Sequence, residues 1–322
     1  MKKRALCLLL TLCLLLTSCG GKGDLSLRED ELLAIGDIVC TWPEAQIYIL
    51  SQYTKYTSSY GTGIWNVRLA EGTFEEYIRD GLLDYLELLF LADHGARKAG
   101  VTLSNAEQSS VNRAAEAYMQ ELGEQGRAAT GITREAAEEA YARFARAQIF
   151  YRQTMVDGTV EVSDEEARVI SLQIVEIEHR VGYAEALRIG NELADGKSVN
   201  EAIRGTDGIT VRKENVVRGT YGGEWETIAF ALKEGRWSPI ISVDTSYYLL
   251  QCLSPYVVEE TARHKAEMEK DLREQNLDLV LKELADSVQL VYNPERWEKW
   301  SMQQYEGLPA ANFYDHTGEL IK

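Results

Sequence analysis

The sequence predicts an α+β protein: a mostly helical region, then a module of strands and short helices, then a last long helix. Three observations predict it. Apolar residues recur at helical spacing through most of Glu31–Thr159, as in Ile78, Leu82, Leu86, Leu89 and Phe90. From Ile170 the period changes to two, with Ile170, Leu172 and Ile174 alternating against Ser171, Gln173 and Val175. Beyond Thr261 the helical period resumes in Leu277, Val280, Leu281, Leu284 and Val288.

Taken in order, the chain opens with Met1, then Lys2, Lys3 and Arg4, then an apolar run from Ala5 to Leu16 broken by Thr11. The run is short for a membrane span and suits a signal peptide. It closes with Leu16-Thr17-Ser18-Cys19-Gly20, which resembles the lipobox of bacterial lipoproteins. That resemblance implies cleavage before Cys19, acylation of Cys19 and a lipid anchor on the outer face of the cell membrane. Gly20, Gly21 and Gly23 then read as a leash.

The expected divisions are a signal peptide (1–18), a linker (19–30), the helical region (31–160), the α+β module (161–255), a C-terminal helix packing on the helical region (256–300) and a tail (301–322). Capping boxes, in which a hydroxyl and a glutamate three residues later satisfy each other's orphan amides, fall at Thr41/Glu44, Thr73/Glu76, Ser104/Glu107 and Ser163/Glu166. Leu33–Cys40 before the first box reads as a strand or turn. Gly100 reads as the residue after a helix end, and Gly123–Gly131 as a break before a helix over Ile132–Met155. Within the module the order is a strand over Ile170–Ile177, a helix over Gly182–Asp195 and a loop with short strands over Thr206–Gly223. A short helix over Trp225–Leu232 and strands over Ile240–Ser242 and Tyr247–Leu253 complete it. The tail shows no pattern.

A formal charge of −17 argues against nucleic acid as a partner, because phosphate binding rests on Lys and Arg. Of five cysteines, Cys7 and Cys13 leave with the signal and Cys19 takes the acyl group. Cys40 and Cys252 remain, either pairing in an oxidising compartment or staying as separate buried thiols. His94, His179, His264 and His316 show no metal-ligand spacing, and no phosphate-binding or nucleophile-elbow motif occurs, so neither metal nor cofactor is expected. Tyr53, Tyr56, Tyr60 and Trp65 surround a Ser/Gly loop. Such aromatics either line a peptide-binding cleft or pack helix on helix.

The arrangement resembles the extracytoplasmic foldases of the PrsA/SurA type. The residues that carry the resemblance are Ile78-Arg79-Asp80-Gly81-Leu82-Leu83 through Ala96-Arg97-Lys98-Ala99-Gly100-Val101-Thr102-Leu103-Ser104, similar to the family's helical signature. Val162-Ser163-Asp164-Glu165-Glu166 is similar to the lead into its isomerase domain. Ala229-Phe230-Ala231-Leu232-Lys233-Glu234-Gly235-Arg236-Trp237-Ser238-Pro239-Ile240 and Thr245-Ser246-Tyr247-Tyr248-Leu249-Leu250 are similar to parvulin stretches, and Gly222-Gly223 falls near a parvulin glycine pair. The resemblance implies a SurA-N-like chaperone region, a parvulin-type peptidyl-prolyl isomerase domain inserted in it, and a C-terminal helix that returns to the helical region. Parvulin sites use two histidines in one network. Here the resemblance places Gln173 at the first position and Tyr248 at the second, with Ser246 for a glycine, while His179 falls outside both motifs.

The candidate pocket is therefore Gln173, Trp225, Phe230 and Tyr248. The expected function is a membrane-anchored folding factor for unfolded, newly exported polypeptides, with isomerase activity weak or lost. The alternatives are an active parvulin-type isomerase and a lipid-anchored solute-binding protein. A homodimer is left open.

Overall fold

The computed structural model describes residues Leu27–Asp157 and Val160–Leu320. The expected signal peptide (1–18), the acyl acceptor Cys19 and most of the linker lie outside the described residues. In chain order the elements are β1 (Glu31–Ile35), β2 (Ile38–Thr41), α1 (Trp42–Tyr60), α2 (Phe74–Lys98), α3 (Asn105–Thr130), α4 (Arg134–Asp157), β3 (Ile170–Glu178) and α5 (Tyr183–Ala194). There follow α6 (Val199–Ala202), β4 (Ile209–Val216), α7 (Gly223–Ala231), β5 (Ile241–Val243), β6 (Ser246–Ser254), α8 (Val258–Ser287), β7 (Leu290–Tyr292) and α9 (Pro294–Glu298).

Capping places the helix starts. At α3 the full box forms, with Ser104 Oγ accepting from Glu107 N and Glu107 Oε2 accepting from Ser104 N. Thr73 and Glu76 close the same box at α2, and Ser163 and Glu166 close it around a turn. At α1 only half is made: Thr41 Oγ1 accepts from Glu44 N at 3.4 Å, and the Glu44 carboxylate goes elsewhere. The break expected over Gly123–Gly131 is a kink inside α3. Gly123 takes φ 61°, a left-handed value that a side chain disfavours, and the helix ends at Gly131 in the αL conformation.

The chain forms two compact units. The first comprises Leu27–His94, Leu103–Ala145 and Ser287–Leu320 among the described residues. Leu33–Cys40, read as strand or turn, forms a hairpin: β1 pairs antiparallel with β2 and, on its other edge, with β7. Helix α1 runs through the core, and it carries polar groups there. Gln46 accepts from the Tyr305 hydroxyl at 2.6 Å, Ser51 Oγ accepts from Phe313 N at 2.8 Å, and Thr54 Oγ1 donates to Ala311 O at 3.0 Å. The patternless tail is thus a core element. Phe313 is fully buried, stacked on Tyr141 at 4.2 Å and packed against Tyr48 at 5.1 Å.

Beneath α1 lies a buried charge cluster. The Arg143 guanidinium, 2% exposed, donates to Glu44 Oε1 at 2.9 Å and to Asp93 Oδ2 at 2.7 Å, and lies 3.8 Å from the Phe90 ring centroid. Burial pushes the Glu44 carboxyl above its ordinary range, against the pull of Arg143. Cys40, nearby, is a free buried thiol whose pKa burial raises well above normal.

The second unit comprises the described residues of Gly95–Thr102 and Arg146–Asp286. Its helical part joins the ends of α2 and α4 to α8. Gly95 is required there, because a Cβ would meet Leu284 of α8 and Phe150 of α4 at 2.7 Å. The rest is an antiparallel four-stranded sheet of order β4-β3-β6-β5. The stretch 206–223, expected as loop and short strands, holds an eight-residue edge strand, β4, in unbroken register with β3. The sheet is covered on both faces. Ile170, Leu172 and Ile174 pack with Trp225, Phe230 and Leu250 on the α7 side, whereas Val175 and Ile177 pack with Ala186, Ile189 and Leu193 of α5 on the other. Cys252 is a free buried thiol in the first of these clusters. Among the described residues no helix is long and apolar enough to cross a membrane.

Candidate functional site

The period-two rule fixes what each residue of β3 can reach. Side chains of a strand alternate between faces, so Ile170, Leu172, Ile174 and Glu176 share the α7 face and Gln173 belongs to the α5 face with Val175 and Ile177. The sequence-derived pocket therefore divides. Trp225, Phe230 and Tyr248 come together on the α7 face, and Gln173 stands on the opposite face, in register between Lys213 and Gln251. The β3 residues facing Trp225 and Phe230 are Leu172 and Ile174, both fully buried.

Where the apolar floor of β3 ends, Glu176 begins a polar belt across three strands. Tyr248 of β6 lies opposite Glu176, and its hydroxyl donates to Oε1 at 3.0 Å. Ser246 Oγ donates to the same oxygen at 3.2 Å, and Arg212 Nη1 of β4 donates to Oε2 at 2.7 Å. Arg212 Nε also donates to Glu214 Oε2 at 3.2 Å, which accepts from the Tyr221 hydroxyl at 2.7 Å. Tyr221 in turn stacks on Trp225 at 4.0 Å.

The electrostatics follow from these partners. Burial raises the Glu176 carboxyl, but the hydrogen bonds from Arg212, Tyr248 and Ser246 outweigh it, and the net shift is downward. Burial and the Glu176 carboxylate both push the Tyr248 phenol up. At neutral pH the belt is an ionised carboxylate held by donors already committed to it. The two shifts run apart, Glu176 to the acid side of an ordinary carboxyl and Tyr248 to the basic side of an ordinary phenol.

The apolar side of the site is filled. Trp225 is 2% exposed beneath Tyr221. Phe230 is 7% exposed, with the Arg218 guanidinium 4.3 Å and the Arg168 guanidinium 5.1 Å from its ring centroid. His179 lies at the far end of β3, its Nε2 3.2 Å from Ser242 Oγ and its ring 4.3 Å from Tyr247. Among the described residues no cluster of His, Cys, Asp or Glu could hold a metal ion.

The aromatic group of the first unit also divides. Tyr53 and Trp65 are buried and stacked 5.9 Å apart, Tyr56 meets Trp65 edge-on at 6.0 Å, and Phe74 closes the knot 5.8 Å from Trp65. Trp65 Nε1 donates to Thr57 Oγ1 at 3.2 Å. Tyr60 alone of the four expected residues is open to solvent, at 69%. It is joined in the same stretch by Val67, Leu69 and Tyr77, at 44%, 40% and 63%. A small hairpin, with a bridge between Arg68 and Thr73 and Phe74 N donating to Val67 O at 2.9 Å, places Val67 and Leu69 beside the start of α2. Sequence reasoning missed these three residues, although Val67 and Leu69 are apolar residues set among polar and small ones before α2 and Tyr77 lies in its first turn. It also missed Glu176, the first polar residue on the Ile170, Leu172, Ile174 face.

No family model and no curated protein matches the chain. Solved structures do match. A SurA-like chaperone of Campylobacter jejuni aligns with 82% of this chain and 98% of its own, at 10% identity and a TM-score of 0.31. The peptidylprolyl isomerase PrsA of Bacillus cereus aligns with 81% of this chain and all of its own, at 12% identity and a TM-score of 0.31. The foldase PrsA of Lactococcus lactis aligns with 85% of this chain and 97% of its own, at 14% identity and a TM-score of 0.33.

Proposed function

We propose that the chain is a chaperone of the cell envelope, anchored through acylated Cys19, that holds unfolded exported polypeptides without effective prolyl isomerisation. The observation that carries this reading is the set of exposed apolar residues Tyr60, Val67, Leu69 and Tyr77 beside the Tyr53–Tyr56–Trp65–Phe74 knot, in which Tyr53 and Trp65 are buried and Tyr56 and Phe74 half-buried. Exposed apolar residues concentrated in one short stretch serve binding more often than stability. Ring packing in the knot holds the neighbouring backbone in place, which lowers the entropic cost of binding a chain there. The foldase resemblance of the sequence supports the same reading. Loss of isomerisation is supported by Leu172 and Tyr248 facing a filled site and by a Glu176 carboxylate with its donors committed.

This set is tested by aggregation suppression with a reduced, unfolded client protein. Replacing Tyr60, Val67, Leu69 and Tyr77 together with serine leaves the core intact, and is expected to remove at least about half of the suppression. Unchanged suppression by the folded variant overturns that assignment.

A further inference from the structure

Strand β4 ends the four-stranded sheet of the second unit, and no strand pairs with its outer side. Two hydrogen bonds at the end of β3 fix which groups point that way. Glu178 N donates to Gly208 O at 3.0 Å, on the β4 side, and His179 N donates to Thr245 O at 2.8 Å, on the β6 side. Successive residues of an antiparallel strand bond to opposite neighbours. Carried back through the register, the β4 residues bonded to β3 are Thr210, Arg212, Glu214 and Val216. Ile209, Val211, Lys213 and Asn215 therefore turn their N–H and C=O groups outward.

Sheet edges are commonly kept short, bulged or broken by proline. The other edge obeys this, since β5 has three residues. Strand β4 has eight, in unbroken register and without proline. Its outer side is a ladder for an extended main chain, and Val211, Lys213 and Asn215 on it are exposed. A folded protein has its backbone groups already paired, so such a ladder selects chains that are unfolded.

The side chains narrow the occupant further. On the α5 face Leu249, Val175 and Val211 form one row across the sheet, with Val211 at its outer end 39% exposed. The next row is Gln251, Gln173 and Lys213. On the α7 face Arg212 is committed to Glu176 and Glu214, so of the two cations of β4 Lys213 is the one left for an incoming chain. A second copy suits the edge less well. Outward groups pair only with outward groups, so a two-fold axis between two β4 strands passes at a residue. The two registers that overlap most of the strand set Arg212 on Arg212 or Lys213 on Lys213, and like charges directly opposite are destabilising.

We propose that the outer edge of β4 takes an extended segment of client polypeptide as an added antiparallel strand, with a β-branched residue beside Val211 and a carboxylate beside Lys213. Main-chain hydrogen bonds supply the affinity, and the two side-chain positions supply the preference. The proposal rests on the chaperone reading and gives it a client site in the second unit.

The test uses the chain from Gly20 onward and an end-capped, threonine-rich peptide containing the run glutamate-threonine-valine. A second peptide has lysine in place of the glutamate. In the free chain the amides of Arg212 and Glu214 are expected to exchange slowly with solvent and those of Val211 and Lys213 quickly. Bound glutamate peptide is expected to slow Val211 and Lys213 about tenfold or more. Val211→Pro removes an outward donor and leaves the bonds to β3 in place, and is expected to weaken binding about tenfold or more. Lys213→Glu is expected to reverse the preference between the two peptides. Failure of the glutamate peptide to bind overturns the proposal, as does unmoved exchange at Val211 and Lys213 when it is bound. Should Val211→Pro not fold, the exchange measurement and Lys213→Glu decide. Protection of the same amides that rises with the concentration of the chain alone makes the edge a contact between copies and overturns it too. Aggregation suppression measured alongside separates the two readings. If suppression is absent in the wild type, the chaperone reading fails; if it is present while the β4 amides stay unprotected, only the edge assignment fails.

Discussion

Arg143→Met is expected to destabilise the first unit by about 3–5 kcal/mol, because it leaves Glu44 and Asp93 buried without their cation. Glu44 is 4% exposed and Asp93 is fully buried, so water cannot replace the guanidinium. The loss should depend on pH. The Glu44 carboxyl already titrates above its ordinary value through burial, and removing Arg143 takes away the attraction that opposes the shift. With its folded pKa raised above the unfolded value, the folded variant retains a proton that the unfolded chain gives up. Its stability is therefore greatest below about pH 4.5 at this site and falls as pH rises through the folded pKa. Replacing the cluster as a whole, with Glu44→Leu and Asp93→Leu added, should recover most of the loss. Urea unfolding at several pH values measures all three outcomes. A Met variant as stable as wild type at pH 8 would show that the cluster is not buried as described.

A comparable loss is expected from Phe313→Ala, about 3–5 kcal/mol. Phe313 is enclosed by Tyr48, Tyr141, Phe144 and Tyr314, so its removal leaves a cavity walled by large rings that cannot close over it. Truncation after Ser301 should cost more and leave no folded first unit. It strips the partners of Gln46, Ser51 and Thr54 from the middle of α1 as well as the ring. Circular dichroism melting of both variants checks this. A truncated chain that melts like the wild type would show the tail to be dispensable.

These two sites also show how far the sequence could be read. The change from helical to strand period at Ile170 is visible because Ile170, Leu172 and Ile174 are buried at every second position along one face, before Val175 and Ile177 turn to the core on the other. The caps at Ser104 and Thr73 are visible because they are made within four residues. The tail is not, because its residues are held by partners far along the chain. Phe313 answers to Tyr141 and Ser51, and Tyr305 to Gln46, and no local period records such contacts. Glu44 looked like half of a capping box because the spacing is right. Its actual partner, Arg143, is 99 residues away.

The candidate site was legible in part for the same reason. Trp225, Phe230 and Tyr248 share a face, and Gln173 stands on the other because motif matching along β3 is uncertain by one residue, and one residue exchanges faces. Glu176 and Arg212 lie on neighbouring strands, 36 residues apart in sequence, so their pairing appears only with the register of β3 and β4.

The most direct measurement is a protease-free assay of prolyl isomerisation on the chain from Gly20 onward, run beside aggregation suppression by the same preparation. Uncatalysed X-Pro bonds relax over tens to hundreds of seconds. The expected result is relaxation within about twofold of that rate and flat between about pH 6 and 8, where a histidine would titrate, together with clear suppression of aggregation. Turnover about a hundredfold above the uncatalysed rate, lost in Tyr248→Phe while the fold is retained, would contradict it and make the Glu176–Tyr248 belt a working catalytic site.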